Sequence, residues 1–158
     1  MKTECLVIVD MQPDFKSAND RKTIDNVLIQ IEKAREQDIP IFILEFINHG
    51  QTSEEIQEAL EGYYQVWFIA KGDDDGSREL ITCIQDNAYI VNDFIVCGVN
   101  ICACVYWTIK GLLKDYKTRI TVIKDACNGK WSHHIDNDQT YNDYDLQDVY
   151  TSDRVSLV

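Results

Sequence analysis

Basic residues are scarce in this chain of 158 residues: 15 lysines and arginines stand against 27 aspartates and glutamates, a net charge of −12. A field of that sign repels nucleic-acid phosphates and anionic membrane, so neither is expected as a partner. A neutral or cationic partner is accommodated more easily, although the acidity also serves plain solubility. No apolar run reaches the roughly 20 residues that a membrane span needs. The strongest candidate, Phe94 to Ile109, contains Gly98 and Asn100 and reads as a buried strand followed by a helix. Histidines number three, and no Cys or His pair has zinc-site spacing, so His49, His133 and His134 read as surface residues and no metal is expected. P-loop and dinucleotide fingerprints are absent, as are repeats, linkers and low-complexity segments, and no cofactor is expected. No secretory leader is expected, because the first strand begins at Cys5 directly after Met-Lys-Thr-Glu. Of the six cysteines, Cys5, Cys97 and Cys104 lie among Val, Ile and Leu. Reduced thiols and a cytoplasmic protein are therefore expected.

What is present is an alternation of strands and helices. The length fits one domain, 1–158, able to bury about 68–70% of its unfolded surface. Leu6-Val7-Ile8-Val9 is a continuous apolar run ending at Asp10, the pattern of a strand covered on both faces. A helix is predicted from about Asp20 to Gln37, with Ile24, Val27, Leu28, Ile31 and Ala34 on one face. Pro40 then opens a strand from Ile41 to Ile47, and Ser53 is placed to cap a short helix to Leu60. Val66 to Ala70 reads as a third strand ending at Lys71. The turn Gly72-Asp73-Asp74-Asp75-Gly76-Ser77 leads into a helix with Leu80, Ile81 and Ile84 inward. The strand Phe94 to Cys97, a helix from near Cys102 to about Tyr116 and the strand Ile120 to Ile123, ending at Asp125, complete the pattern. The fold class this implies is α/β, a mostly parallel central sheet with helices on both faces. The polar segment Asp136 to Asp153 carries no clear pattern.

Ligands bind such sheets at the carboxyl ends of the strands. Asp10, Lys71 and the turn Gly98 to Cys104 all follow strand ends, so an acid, an amine and a thiol are expected on one edge. A thiol in the first turn of a helix sits near unpaired N–H groups and the positive end of the dipole, which favour the thiolate and an adjacent oxyanion. In a cysteine hydrolase Asp10 would remove the thiol proton, Lys71 would stabilise negative charge, and Cys104 would attack a carbonyl. Each residue also has a plainer role: the Asp as a helix cap, the Lys as a solvated surface residue, the Cys as core filler.

The segments Leu6–Phe15, Lys71 and Gly98–Val105 resemble the isochorismatase-like cysteine hydrolase superfamily. Asp10-Met11-Gln12 matches its Asp-x-Gln motif, with Asp14-Phe15 following. Gly98, Val99 and Val105 fall in register with its Gly-Val-x-Thr-x-x-Cys-Val segment, which makes Cys104, not Cys102, the nucleophile. Lys124-Asp125-Ala126 matches the Asp-Ala after the next strand. The resemblance spans Glu4 to about Cys127. It implies a three-layer Rossmann-like sandwich, a triad of Asp10, Lys71 and Cys104, and a cis peptide just before Asn100. It further implies an oxyanion hole from the N–H groups of Asn100 and Cys104, and Gln12 and Phe15 as substrate-binding residues. The implied reaction is hydrolysis of a small amide-like substrate through a thioester. Homo-oligomers are common in the superfamily, and the region from the third strand to its helix is the expected surface.

Three departures stand out. Ile101 replaces the usual Thr, and the Ser-Ala-Phe type segment after the lysine is replaced by Gly72 to Ser77. Where nicotinamidases of the superfamily carry a His metal site, this chain reads Glu45-Phe46-Ile47-Asn48-His49-Gly50, with one histidine, which disfavours that activity. Vinyl-ether hydrolysis of the isochorismatase type, and a non-catalytic binding or regulatory domain, are the competing readings. A Mg²⁺ cluster of Asp10, Glu45, Asp75 and Asp125 ranks low, because Gln12 stands where phosphatase-like motifs place a second carboxylate. Cys102 and Cys104, two apart on a helix, face different ways and do not suit a redox pair. Among aromatic candidates for pocket walls, which also include Trp131, Phe15 is favoured, and Trp67 and Trp107 are expected in the core.

Overall fold

The computed structural model describes residues 3–129 and 148–158. Six strands form one sheet: β1 (Glu4–Val9), β2 (Ile41–Phe46), β3 (Val66–Lys71), β4 (Asp93–Val99), β5 (Arg119–Asn128) and β6 (Val155–Leu157). Their order is β3-β2-β1-β4-β5-β6, and every neighbouring pair is parallel. The helices are α1 (Arg21–Gln37), α2 (Glu54–Leu60), α3 (Ser77–Asp86) and α4 (Cys104–Leu112).

The apolar runs explain the layers. Alternate residues of a strand point to opposite faces, so Cys5, Val7 and Val9 of β1 join a core with Leu80 and Ile84 of α3 and Val105 and Ile109 of α4. Leu6 and Ile8 face the other way, against Ile24, Val27 and Ile31 of α1 and Ile56 of α2. The chain steps outward from β1 to β2 to β3, then returns to place β4 on the other side of β1. The crevice beyond β1 and β4 is thus the switch point at which open α/β sheets bind ligands.

Local signals decide most boundaries. Asp20 caps α1 by accepting the Thr23 N–H at 2.9 Å, and Asp38 closes the helix in the left-handed region, φ 55°. Ser53 does occupy the N-cap position of α2, but its hydroxyl makes no capping bond. The helix after β4 is shorter than the apolar pattern suggests: it begins at Cys104 and ends at Leu112. β5 runs on to Asn128, past Asp125, through an irregularity opposite Val96 and Gly98. β6 pairs with β5 and buries Val155; Trp131, His133 and His134, and most of the segment Asp136 to Asp153, lie outside the described residues. Trp67 packs against the core as expected, stacked on Phe42. Trp107 does not: it is 43% exposed, because Val105, Thr108, Ile109 and Leu112 take the inward face of α4. Among the described residues no helix is long and apolar enough to cross a membrane.

Burial pushes the thiols of Cys5 and Cys97 well above the usual range and that of Cys127 up to about 12. The folded chain therefore keeps protons that the unfolded chain releases above about pH 8.5. With fewer protons on the unfolded state, stability falls as pH rises through that window, by up to about 1.4 kcal/mol per thiol per pH unit. Under reducing conditions, unfolding free energy from urea titration is expected to drop by about 2–3 kcal/mol between about pH 8.5 and 9.5. An unchanged midpoint would contradict the burial of these thiols.

Candidate active site

The three residues expected to meet do meet. Lys71, at the end of β3, extends across β2 and brings its Nζ to 3.0 Å from Asp10 Oδ2; both side chains are essentially solvent-free. The ammonium also stands 4.1 Å from the Phe46 ring centroid and donates to Asp73 O at 2.9 Å. Gly76 leaves room for this path, since a Cβ there would come within 2.8 Å of Lys71 Cδ. Asp10 itself adopts φ 49°, with its N–H donating to Leu44 O of β2. Such a backbone at a non-glycine residue is uncommon, and it clusters at functional sites.

Burial raises the Asp10 carboxyl, and Lys71 and Cys104 only partly offset it. Neither carboxylate oxygen accepts a well-aligned hydrogen bond among the described residues, so lone pairs remain to take a proton. Cys104, only 6% exposed, has its thiol raised far above the usual range, first by burial and next by Asp10. This corrects the expectation of a thiolate favoured by the helix dipole. A terminal dipole equivalent to about half a charge is outweighed by desolvation and a full carboxylate charge. Cys104 is thus a buried thiol beside a carboxylate, whose surroundings push it up rather than down.

The turn before α4 is ordered without the missing threonine hydroxyl. The Val99–Asn100 peptide is cis, as the resemblance implied. Ile101 is buried, donates its N–H to Asn128 O at 3.0 Å and accepts from the Tyr150 hydroxyl. Ala103 and Val105 both donate to Asn100 O, at 3.0 and 3.2 Å, leaving the Cys104 N–H between them outside the turn's hydrogen bonds. The Asn100 side chain accepts from the Ser17 hydroxyl at 2.5 Å, and Asn128 Nδ2 donates to Ser17 O at 3.1 Å. Ser17 and Asn128 thus brace the turn, although neither stood out in the sequence.

A cleft of about 870 Å³ opens beside the turn, lined by Phe15, Ser17, Asn100, Cys102, Ala103 and Asn128 among others. Phe15 is therefore a wall residue, as expected; it packs on His49 with centroids 4.8 Å apart and edge-on to Phe46. His49 pairs with Asp14 at 3.5 Å. Gln12 is placed differently from the expectation that it binds substrate. It is fully buried, accepts the Phe46 N–H at 2.8 Å, and donates to Phe46 O and Gly50 O at 2.9 and 2.7 Å. A primary amide matches that donor–acceptor demand, so Gln12 positions the strand end on which Phe46 sits. Gln12→Leu is expected to cost about 2–4 kcal/mol in urea unfolding, because three backbone groups lose their partners. A loss under about 0.5 kcal/mol would contradict this role.

The carboxylates weighed as a Mg²⁺ cluster are engaged apart from one another. Glu45 accepts from Thr52, Asp75 accepts the Ser77 N–H, and Asp125 pairs with Lys22. A carboxylate that the sequence did not single out stands at the Cys104 thiol instead: Asp74 Oδ1 lies 3.6 Å from Sγ.

The isochorismatase domain model matches residues 4–136. No curated protein sequence matches the chain. Similar solved structures include the nicotinamidase of Staphylococcus aureus, 19% identical with all of both chains covered and a TM-score of 0.74. The MAR1 ribonuclease of Caenorhabditis elegans is 19% identical, covering 99% of this chain and 77% of that one, at TM-score 0.78. The N-carbamoylsarcosine amidase of Thermoplasma acidophilum is 18% identical, covering 99% and 95%, at TM-score 0.72. At such identities these likenesses speak to the fold, a Rossmann-like α/β sandwich. The family match covers most of the sequence, and the chain belongs to the isochorismatase family of hydrolases.

Proposed function

We propose that the chain is a cysteine hydrolase that cleaves the C–N bond of a small amide-like molecule through a thioester. The observation that carries this reading is the solvent-free Asp10–Lys71 pair beside the Cys104 thiol, assembled from three separate strand ends. A buried ion pair is seldom a net source of stability, and this one surrounds a nucleophile. Asp10 accepts the thiol proton as Sγ bonds to the carbonyl carbon. The carbonyl oxygen takes the negative charge and is held by the N–H groups of Asn100 and Cys104. The C–N bond then breaks, and the leaving nitrogen takes the proton from Asp10. Water, giving a proton to Asp10, attacks the thioester; the acid leaves and the thiol regains its proton. Lys71 keeps the Asp10 carboxylate available in a site whose burial favours the neutral acid.

Two of the similar structures, a nicotinamidase and an N-carbamoylsarcosine amidase, are named for C–N hydrolysis and support this choice of bond. The test is ammonia or amine release from a panel of small amides, with capture of the acyl adduct on Cys104 by mass spectrometry. Turnover in a Cys104→Ala protein equal to wild type would refute the mechanism. The cytoplasm remains the proposed location and a homo-oligomer the proposed state, with Phe68 of β3 and Ile81 of α3, which faces outward rather than inward as expected, as the exposed pairing surface. Light scattering on the purified protein decides the latter.

A further inference from the structure

We propose that Asp74 is a specificity-determining residue of this site, selecting a small amide that carries a cationic group close to the scissile bond. This rests on the hydrolase reading above and narrows its substrate class. Asp74 lies in the acidic loop that departs from the family pattern, and the helix that bears the nucleophile also holds that loop. Thr108, one turn beyond Cys104, accepts the Gly76 N–H at 3.1 Å and donates to Asp74 O at 3.4 Å. The loop is fastened from the other side by Lys71, which donates to Asp73 O at 2.9 Å. Asp74 Oδ1 is thereby held 3.6 Å from Sγ, although the residue is otherwise exposed.

Charge at the site follows directly. Lys71 and Asp10 offset each other at 3.0 Å, and no ion pair to Asp74 exists among the described residues. One negative charge is left over within reach of any group bonded next to the carbonyl that Sγ attacks. An ammonium there meets an acceptor and a countercharge; a carboxylate there meets repulsion at contact distance. An anionic vinyl ether, the alternative substrate class, is repelled by the same residue. Neutralising Asp74 with a substrate cation also removes one of the carboxylates that hold Cys104 protonated, so the preferred substrate relieves the nucleophile it approaches.

The test uses thiol reagents of three charges on the full-length reduced protein: 2-bromoethylammonium, iodoacetamide and iodoacetate. Labelling rates at Cys104 are read by peptide fragmentation and divided by those of 2-mercaptoethanol. Wild type is expected to favour the cationic over the anionic reagent by about tenfold or more. Asp74→Asn should remove most of that preference and Asp74→Lys should reverse it, while the ratio at Cys102, which reports the chain's overall charge, should move far less. A Cys104 that labels with the same charge preference in all three proteins overturns the role of Asp74 and leaves the hydrolase reading standing. A Cys104 inert to all three reagents in every protein, with Cys102 labelled, overturns the hydrolase reading itself.

Discussion

Replacing Cys104 with alanine is expected to lower amide hydrolysis by about 10⁴-fold or more and to abolish the covalent acyl adduct, with the fold intact. The size follows from what the thiol does. In the proposed mechanism the thiol both attacks the carbonyl and gives its proton to Asp10, so its loss leaves no partial substitute. The proposed oxyanion hole of the turn survives, and alone it is expected to sustain only residual catalysis. Structurally the change is mild, since Cys104 is the first residue of α4 and the substitution removes a single sulfur that interacts with Asp10 and lies 3.6 Å from Asp74. Ammonia release at matched protein concentration, beside circular dichroism of both proteins, measures the two halves. A variant that keeps its rate would show that water is activated without the thiol, as a vinyl-ether hydrolase of this fold could do.

Gly98→Ala is expected to cost about 5 kcal/mol or more, enough to leave little soluble protein. Gly98 pairs with Val9 across the β1–β4 ladder and sits at φ 114°, outside the range comfortable for L side chains. A Cβ there would lie 2.1 Å from Val9 O and 2.6 Å from Val9 N, atoms of a central strand that cannot retreat without parting the sheet beneath Asp10. Gly62→Ala is the control: φ 73°, but nothing within 4 Å of the added carbon. It should cost only the left-handed backbone penalty, about 1–2 kcal/mol. Urea unfolding of both variants, or their soluble yields, separates clash from conformational preference. Equal costs would show that β1 and β4 yield at this point.

The strands were legible wherever a buried parallel strand forces a continuous apolar run, as in Leu6 to Val9 and Ile41 to Leu44. Their ends marked Asp10, which directly follows β1, and the apolar run of the edge strand β3 marked Lys71, its last residue. Cys104 was distinguished from Cys102 by register with Gly98, Val99 and Val105, a one-dimensional pattern. β6 escaped notice because a three-residue strand has no period to detect. Trp107 was misplaced because hydrophobicity alone does not say on which side of α4 a residue falls.

Position along the chain therefore determined which residues reach the site edge, since parallel strands deliver their carboxyl ends to one side whatever the intervening loops contain. Tertiary structure alone decided what those residues experience. Gln12 was spent on the backbone of Phe46 and Gly50, and Asp74 was carried to a thiol 30 positions away. The Cys104 thiol is pushed up by burial and neighbouring carboxylates, against the pull of the helix it begins. Burial and electrostatic energy depend on distances through space, and a linear pattern encodes those only where secondary structure repeats them.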